Sequence, residues 1–87
     1  SVTHTPLVDA NLTSLTINDG TTDYVAGTDS FEDAFVDGAS ITITAVANET
    51  THTTTGMTFT VNGEPYTNGS AITITCDLTL VLEAATL

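Results

Sequence analysis

The sequence predicts an all-β fold, a small antiparallel β-sandwich of six or seven strands, with a small barrel as the alternative. Three observations lead there. Threonine, a β-branched residue suited to a half-exposed sheet, makes up about a quarter of the chain. Apolar residues alternate with polar ones at period two in several segments. Turn signals, the Asp-Gly and Asn-Gly pairs that favour tight turns among them, punctuate those segments about every ten residues. At 87 residues the chain is one domain, and a domain of this size buries only about 60–65% of the surface its unfolded chain exposes.

Residues 1–11 are polar, contain Pro6 and show no sustained period, which reads as an N-terminal arm; residues 12–87 form the domain. Leu15-Thr16-Ile17 alternate as a first strand, closed by the turn Asn18-Asp19-Gly20. Tyr24 to Gly27 is a weak second strand. Ser30-Phe31-Glu32-Asp33 matches a helix capping box and sets Phe31 and Phe35 four residues apart, as one helical turn would; a strand with both rings inward is the alternative. Residues 39–47 are the clearest strand, with Ile41, Ile43 and Ala45 on one face and Thr42 and Thr44 on the other. A polar, threonine-rich loop follows over 48–56. Met57, Phe59 and Val61 then alternate with threonines up to the turn Asn62-Gly63-Glu64-Pro65. Ile72, Ile74, Cys76, Leu78, Leu80 and Leu82 all fall on even positions. That parity favours one long strand with Cys76 as a small core residue, whereas the Cys76-Asp77 step argues for a bend between two strands. Residues 35–45 and 66–76 also align without a gap, each an aromatic, a turn and an Ile-Thr-Ile-Thr strand, as two hairpin units would, one per sheet.

The chain has no lysine or arginine against 11 acidic residues. A charge of −11 repels nucleic-acid phosphates and anionic lipid headgroups, so neither is an expected partner. No apolar run approaches the length of a membrane-spanning helix, and the segment starting at Ser1 lacks the basic and apolar regions of a signal peptide. A serine start is also what removal of an initiator methionine leaves, which suits a complete small gene product. The single cysteine offers neither an internal disulfide nor a zinc knuckle.

The segment from Met57 to Ala84, with Phe-Thr-Val-Asn-Gly at 59–63, Tyr-Thr-Asn-Gly-Ser at 66–70 and Ile-Thr-Ile-Thr-Cys-Asp-Leu-Thr-Leu-Val-Leu-Glu-Ala at 72–84, resembles the C-terminal half of small immunoglobulin-like domains of bacterial and phage surface proteins. The resemblance covers about a third of the chain and departs from the family at Cys76, where relatives often have glycine. It implies a sandwich displayed on an assembly: a decoration or cement protein on the surface of a phage particle, bound to the major capsid or another virion protein and itself a possible homo-oligomer. The alternative is an adhesion or glycan-binding module of a bacterial cell surface.

Nothing in the sequence orients a catalytic group: Glu32 and Asp33 are neighbours rather than a convergent pair, and His4 and His52 lack the context of a Ser-His-Asp site. An enzyme is not expected, nor is a cofactor. Calcium is the ion that the oxygen-rich turns suit, at Asn18, Asp19 and Asp23 or at Asp29, Glu32 and Asp33, although neither set has the spacing of a known calcium loop and ordinary turn chemistry explains both. Asn11, Asn48 and Asn68 head Asn-x-Ser/Thr triplets, as a threonine-rich chain produces by chance. The candidate interaction residues are Leu7 and Val8, as apolar anchors of the arm, and Thr51, His52, Thr53 and Thr54 in the polar loop. A basic surface is the electrostatic match for such a partner-binding chain.

Overall fold

The computed structural model describes residues 2–4 as backbone and residues 11–31 and 34–87 in full. The strands are β1 (Val2–His4), β2 (Leu12–Asn18), β3 (Asp23–Val25), β4 (Ser40–Ala47), β5 (His52–Val61), β6 (Glu64–Pro65), β7 (Ala71–Thr73) and β8 (Leu78–Thr86). They form two sheets, in the orders β1-β8-β5-β6 and β3-β2-β4-β7. The architecture is therefore a small β-sandwich, with β6 a two-residue addition to the six or seven strands expected. Every strand pair is antiparallel except β1 with β8, which run parallel. Part of the stretch read as an arm is thus an edge strand; residues 5–10 lie outside the described residues.

The alternation predicted for β2, β4 and β8 becomes the core. Leu12, Leu15 and Ile17 from β2, Ile41, Ile43, Ala45 and Ala47 from β4, and Leu78, Leu80, Leu82 and Ala84 from β8 close the space between the sheets. Phe59 and Val61 complete it from β5. Phe31 is buried and Phe35 packs partly against the same cluster, with the Tyr24 ring edge-on to Phe35 at 4.9 Å. No helix flanks the proposed capping box: Phe31 and residues 34–36 are irregular, while Glu32 and Asp33 lie outside the described residues.

Three expectations need correction. First, the polar loop is shorter than 48–56. Only residues 48–51 turn, where the Asn48 carbonyl accepts the Thr51 and His52 N–H groups, and β5 begins at His52. The strand is hidden in the sequence because residues 54–57 bulge opposite Ala84 alone, between the Thr53–Ala85 and Thr58–Glu83 pairs, with Gly56 at φ +80°. Second, Cys76 is exposed rather than core. The chain leaves one sheet after Thr73, bends through 75–76 and enters the other at Leu78, so equal parity on the two sides belongs to two different sheets. Third, the two echoing segments share one sheet. Ile41 sits opposite Ile72, their equivalent residues, and a local two-fold relates the flanks: Gly38 N–H donates to Ile74 O (2.7 Å) as Gly69 N–H donates to Ile43 O (2.8 Å). Both turns also close alike, by Ala39 N–H to Val36 O and Ser70 N–H to Thr67 O, with a glycine at positive φ in each.

Candidate interaction surface

The turns at one end of the sandwich bring together acids that are far apart in sequence. β2 and β3 meet there through residues 18–23, β5 and β6 through Asn62-Gly63, and β7 reaches β8 through residues 74–77; the Asp37-Gly38 turn docks on Ile74 beside them. Asp19, Asp23, Asp37, Glu64 and Asp77 therefore share this end, five of the eight described carboxylates. The opposite end, with the 48–51 turn, holds Glu49. Asp9, Glu32 and Asp33 lie outside the described residues.

Local chemistry fixes these turns. Asn62 and Gly63 both take positive φ (53° and 82°), the conformation of a two-residue hairpin with strand-compatible twist. The Asn62 amide then ties this hairpin to the crossover: its Oδ1 accepts Thr79 N–H (2.7 Å) and its Nδ2 donates to Asp77 O (3.1 Å). Asp19 Oδ1 accepts the N–H groups of Thr22 and Thr21, at 2.8 and 2.9 Å. Those bonds hold its carboxyl below the ordinary value of 3.8. The folded pKa is depressed, so this contribution to stability is present above pH 3.8 and is lost as pH falls through the lower folded value. Thermal melts should show wild type more stable than Asp19→Asn near neutral pH, the difference shrinking as acidification protonates Asp19.

Of the residues proposed for calcium, the described ones, Asn18, Asp19, Asp23 and Asp29, are engaged within their own turns. Asn18 Oδ1 accepts Gly20 N–H, Asn18 Nδ2 donates to Asp23, and Asp29 Oδ2 accepts Val25 N–H. Among the described residues no three His, Cys, Asp or Glu side chains gather as metal ligands, and no pocket opens.

Of the predicted interaction residues, Leu7 and Val8 lie outside the described residues. The other four stand together at the end opposite the acidic turns, and their hydroxyls are occupied. Thr51 Oγ1 lies 2.7 Å from His52 Nδ1, Thr53 Oγ1 accepts Thr55 N–H, and Thr54 Oγ1 accepts Ala47 N–H while donating to Glu49. The two tyrosines are partly buried rather than free platforms. Tyr66 packs on Phe59 with ring centroids 4.7 Å apart and planes tilted by 47°, its hydroxyl accepting Ile43 N–H (3.0 Å) and donating to Ser70 O.

Sequence reading passed over the residues that seal β4. Its N–H groups on the side facing β7 meet β7 first, and beyond it side chains take over. Tyr66 takes Ile43 N–H, the Asn68 amide pairs with both N–H and C=O of Ala45 at 2.8 Å, and Thr54 takes Ala47 N–H. The internal echo pointed at this region, but it aligns Tyr66 with Phe35 and Asn68 with Asp37, so the repeat itself did not reveal the bonds.

Burial raises the Tyr66 phenol above its ordinary value of 10.0, against the opposing hydrogen bond from Ile43. A raised folded pKa makes its contribution fully present below pH 10 and lost as pH rises through the folded value. Alkaline melts should therefore show a loss of stability above pH 10 that Tyr66→Phe lacks.

Comparison of the chain with protein-family models, with curated proteins and with solved structures found no match.

Proposed function

We propose that this chain is a non-enzymatic structural component of a virus particle, a capsid decoration or cement protein held in many copies against a virion partner with a basic surface. The observation that carries the reading is an excess of acidic charge. Asp19, Asp23, Asp37 and Glu64 share one end of the sandwich with Asp77, whose carboxyl the chain's α-ammonium holds below its ordinary value, and the chain has no lysine or arginine. Copies crowded on a particle at −11 each repel, and a lattice beneath them that supplies positive charge relieves the repulsion, as spacing or bridging cations would. The resemblance of residues 57–84 to phage and bacterial surface domains points to the kind of assembly.

The test is protein mass spectrometry of purified virus particles and of cell envelopes from the source. The expected result is the chain in the particle fraction, in copy number comparable to the coat protein and released by high salt. Recovery from the envelope alone would overturn the virion reading in favour of a cell-surface adhesion module. The glycan-binding form of that alternative draws little support from Tyr24 and Tyr66, whose rings pack against Phe35 and Phe59.

A further inference from the structure

The edges of a sheet carry unpaired backbone groups, and proteins ordinarily blunt them. Here the edges with described side chains are treated unequally. On β3, the outward N–H of Val25 is taken by Asp29 Oδ2, and its C=O accepts from Thr28 and Asp29 N–H. On β6, Pro65 stands opposite Thr60, between the hydrogen-bonded Val61–Glu64 and Phe59–Tyr66 pairs, so the missing N–H of proline lies on the outer side. The stretch of β4 beyond β7 is sealed by Tyr66, Asn68 and Thr54.

Among the described residues, none of these devices covers β7. Ile74 N–H bonds Ala39 O, and alternation along an antiparallel pair makes Ile41–Ile72 the next bonded pair. Ala71 and Thr73 consequently turn their N–H and C=O groups away from β4, two donors and two acceptors on an exposed edge. Their side chains are small and uncharged, so nothing on the strand blocks an incoming backbone. The turn carrying Asp37 docks at Ile74, so its carboxylate flanks the edge at one end.

We infer that the outer edge of β7, at Ala71 and Thr73, accepts an extended basic segment of the partner as an added strand. Backbone pairing supplies the docking, and the flanking Asp37 carboxylate, in a chain of charge −11 without lysine or arginine, selects lysine or arginine in the occupant. The inference rests on the proposed function for the basic character of the partner, while the edge itself rests on the hydrogen-bond pattern.

The test uses the intact protein and a short synthetic peptide of alternating lysine and valine, followed by amide hydrogen exchange and NMR titration. The expected result is slowing of exchange at Ala71 and Thr73 by roughly tenfold or more at saturation, with Ile72 little changed, and no binding of a glutamate–valine peptide. Thr73→Pro removes an outward N–H without removing a bond to β4 and should weaken binding by about tenfold or more; Ala71→Pro does the same at the other outward residue. Melting curves establish that at least one variant folds. Unchanged peptide affinity in a folded variant, or no peptide binding, would overturn the inference. Peptide bound at the acidic turns with β7 unprotected would overturn the edge while leaving a basic partner intact. Equal protection of β7 by a threonine–valine peptide would overturn the basic occupant.

Discussion

Leu80→Ala is expected to lower stability by about 3 kcal/mol. Leu80 is 1% exposed on β8, a strand with neighbours on both sides. Its side chain lies on the inward face with Leu78 and Leu82. Truncation removes buried apolar surface and leaves a cavity that strands held in two ladders cannot readily close. In a domain this small the corresponding fall in melting temperature is roughly 12–24 °C. Val81, next along the strand and 44% exposed, is the control: Val81→Ala should change stability by less than about 0.5 kcal/mol. Urea unfolding monitored by tyrosine fluorescence and by circular dichroism measures both. A Leu80→Ala loss below about 1 kcal/mol would mean the two sheets do not close on this residue.

Asn68→Ala should cost about 2 kcal/mol, although the residue contributes nothing to the apolar core. Its amide is a two-pronged partner for Ala45, and truncation strips both the N–H and the C=O of a central strand of their partners. Asn68→Asp separates the two prongs. The carboxylate still accepts from Ala45 N–H, but its other oxygen faces Ala45 O, so the charged form is disfavoured and its folded pKa is raised. A raised folded pKa gives stability that is present below the unfolded value, about 3.9, and is lost as pH rises through the folded one. Asn68→Asp should therefore gain on Asn68→Ala as the pH is lowered, because the protonated carboxyl donates where the amide did. Parallel urea titrations at acid and neutral pH measure the difference, and a pH-independent gap between the variants would count against the two-pronged assignment.

The parts of the fold that were legible are those that local chemistry decides. Alternation in β4 and β8 placed Ile41, Ile43, Leu80 and Leu82 in the core, and the Asn62-Gly63 pair announced a hairpin. What was not legible depends on the neighbour. Cys76 keeps the parity of Ile74 and Leu78, yet the chain changes sheets around it, and parity along a sequence carries no record of which sheet a residue faces. The threonines at 53–55 look like a loop because a bulge interrupts their period, and what begins the strand there is the pairing of His52 with Thr86 and of Thr53 with Ala85. β1 is three residues long and is held by a parallel partner more than seventy positions away, beyond the reach of any local pattern. The candidate site divides in the same way: its acids and threonines are visible in the sequence, but their gathering at opposite ends of the sandwich is a product of topology.

Strands β4 and β7 both read Ile-Thr-Ile-Thr at their cores, Ile41 to Thr44 and, continuing past β7, Ile72 to Thr75. Such a pair is nearly indifferent to sliding by two residues, because every isoleucine still meets the inside and every threonine the outside. The hydrophobic pattern alone therefore leaves the alignment ambiguous. Tyr66, Asn68 and Gly69 remove the ambiguity, because they immediately precede β7 and grip Ile43 and Ala45 individually. They act as teeth in a ratchet: a slipped strand would drag all three off their backbone partners at once. Fidelity of alignment in this repetitive sheet is thus encoded in the loop, where the sequence stops repeating.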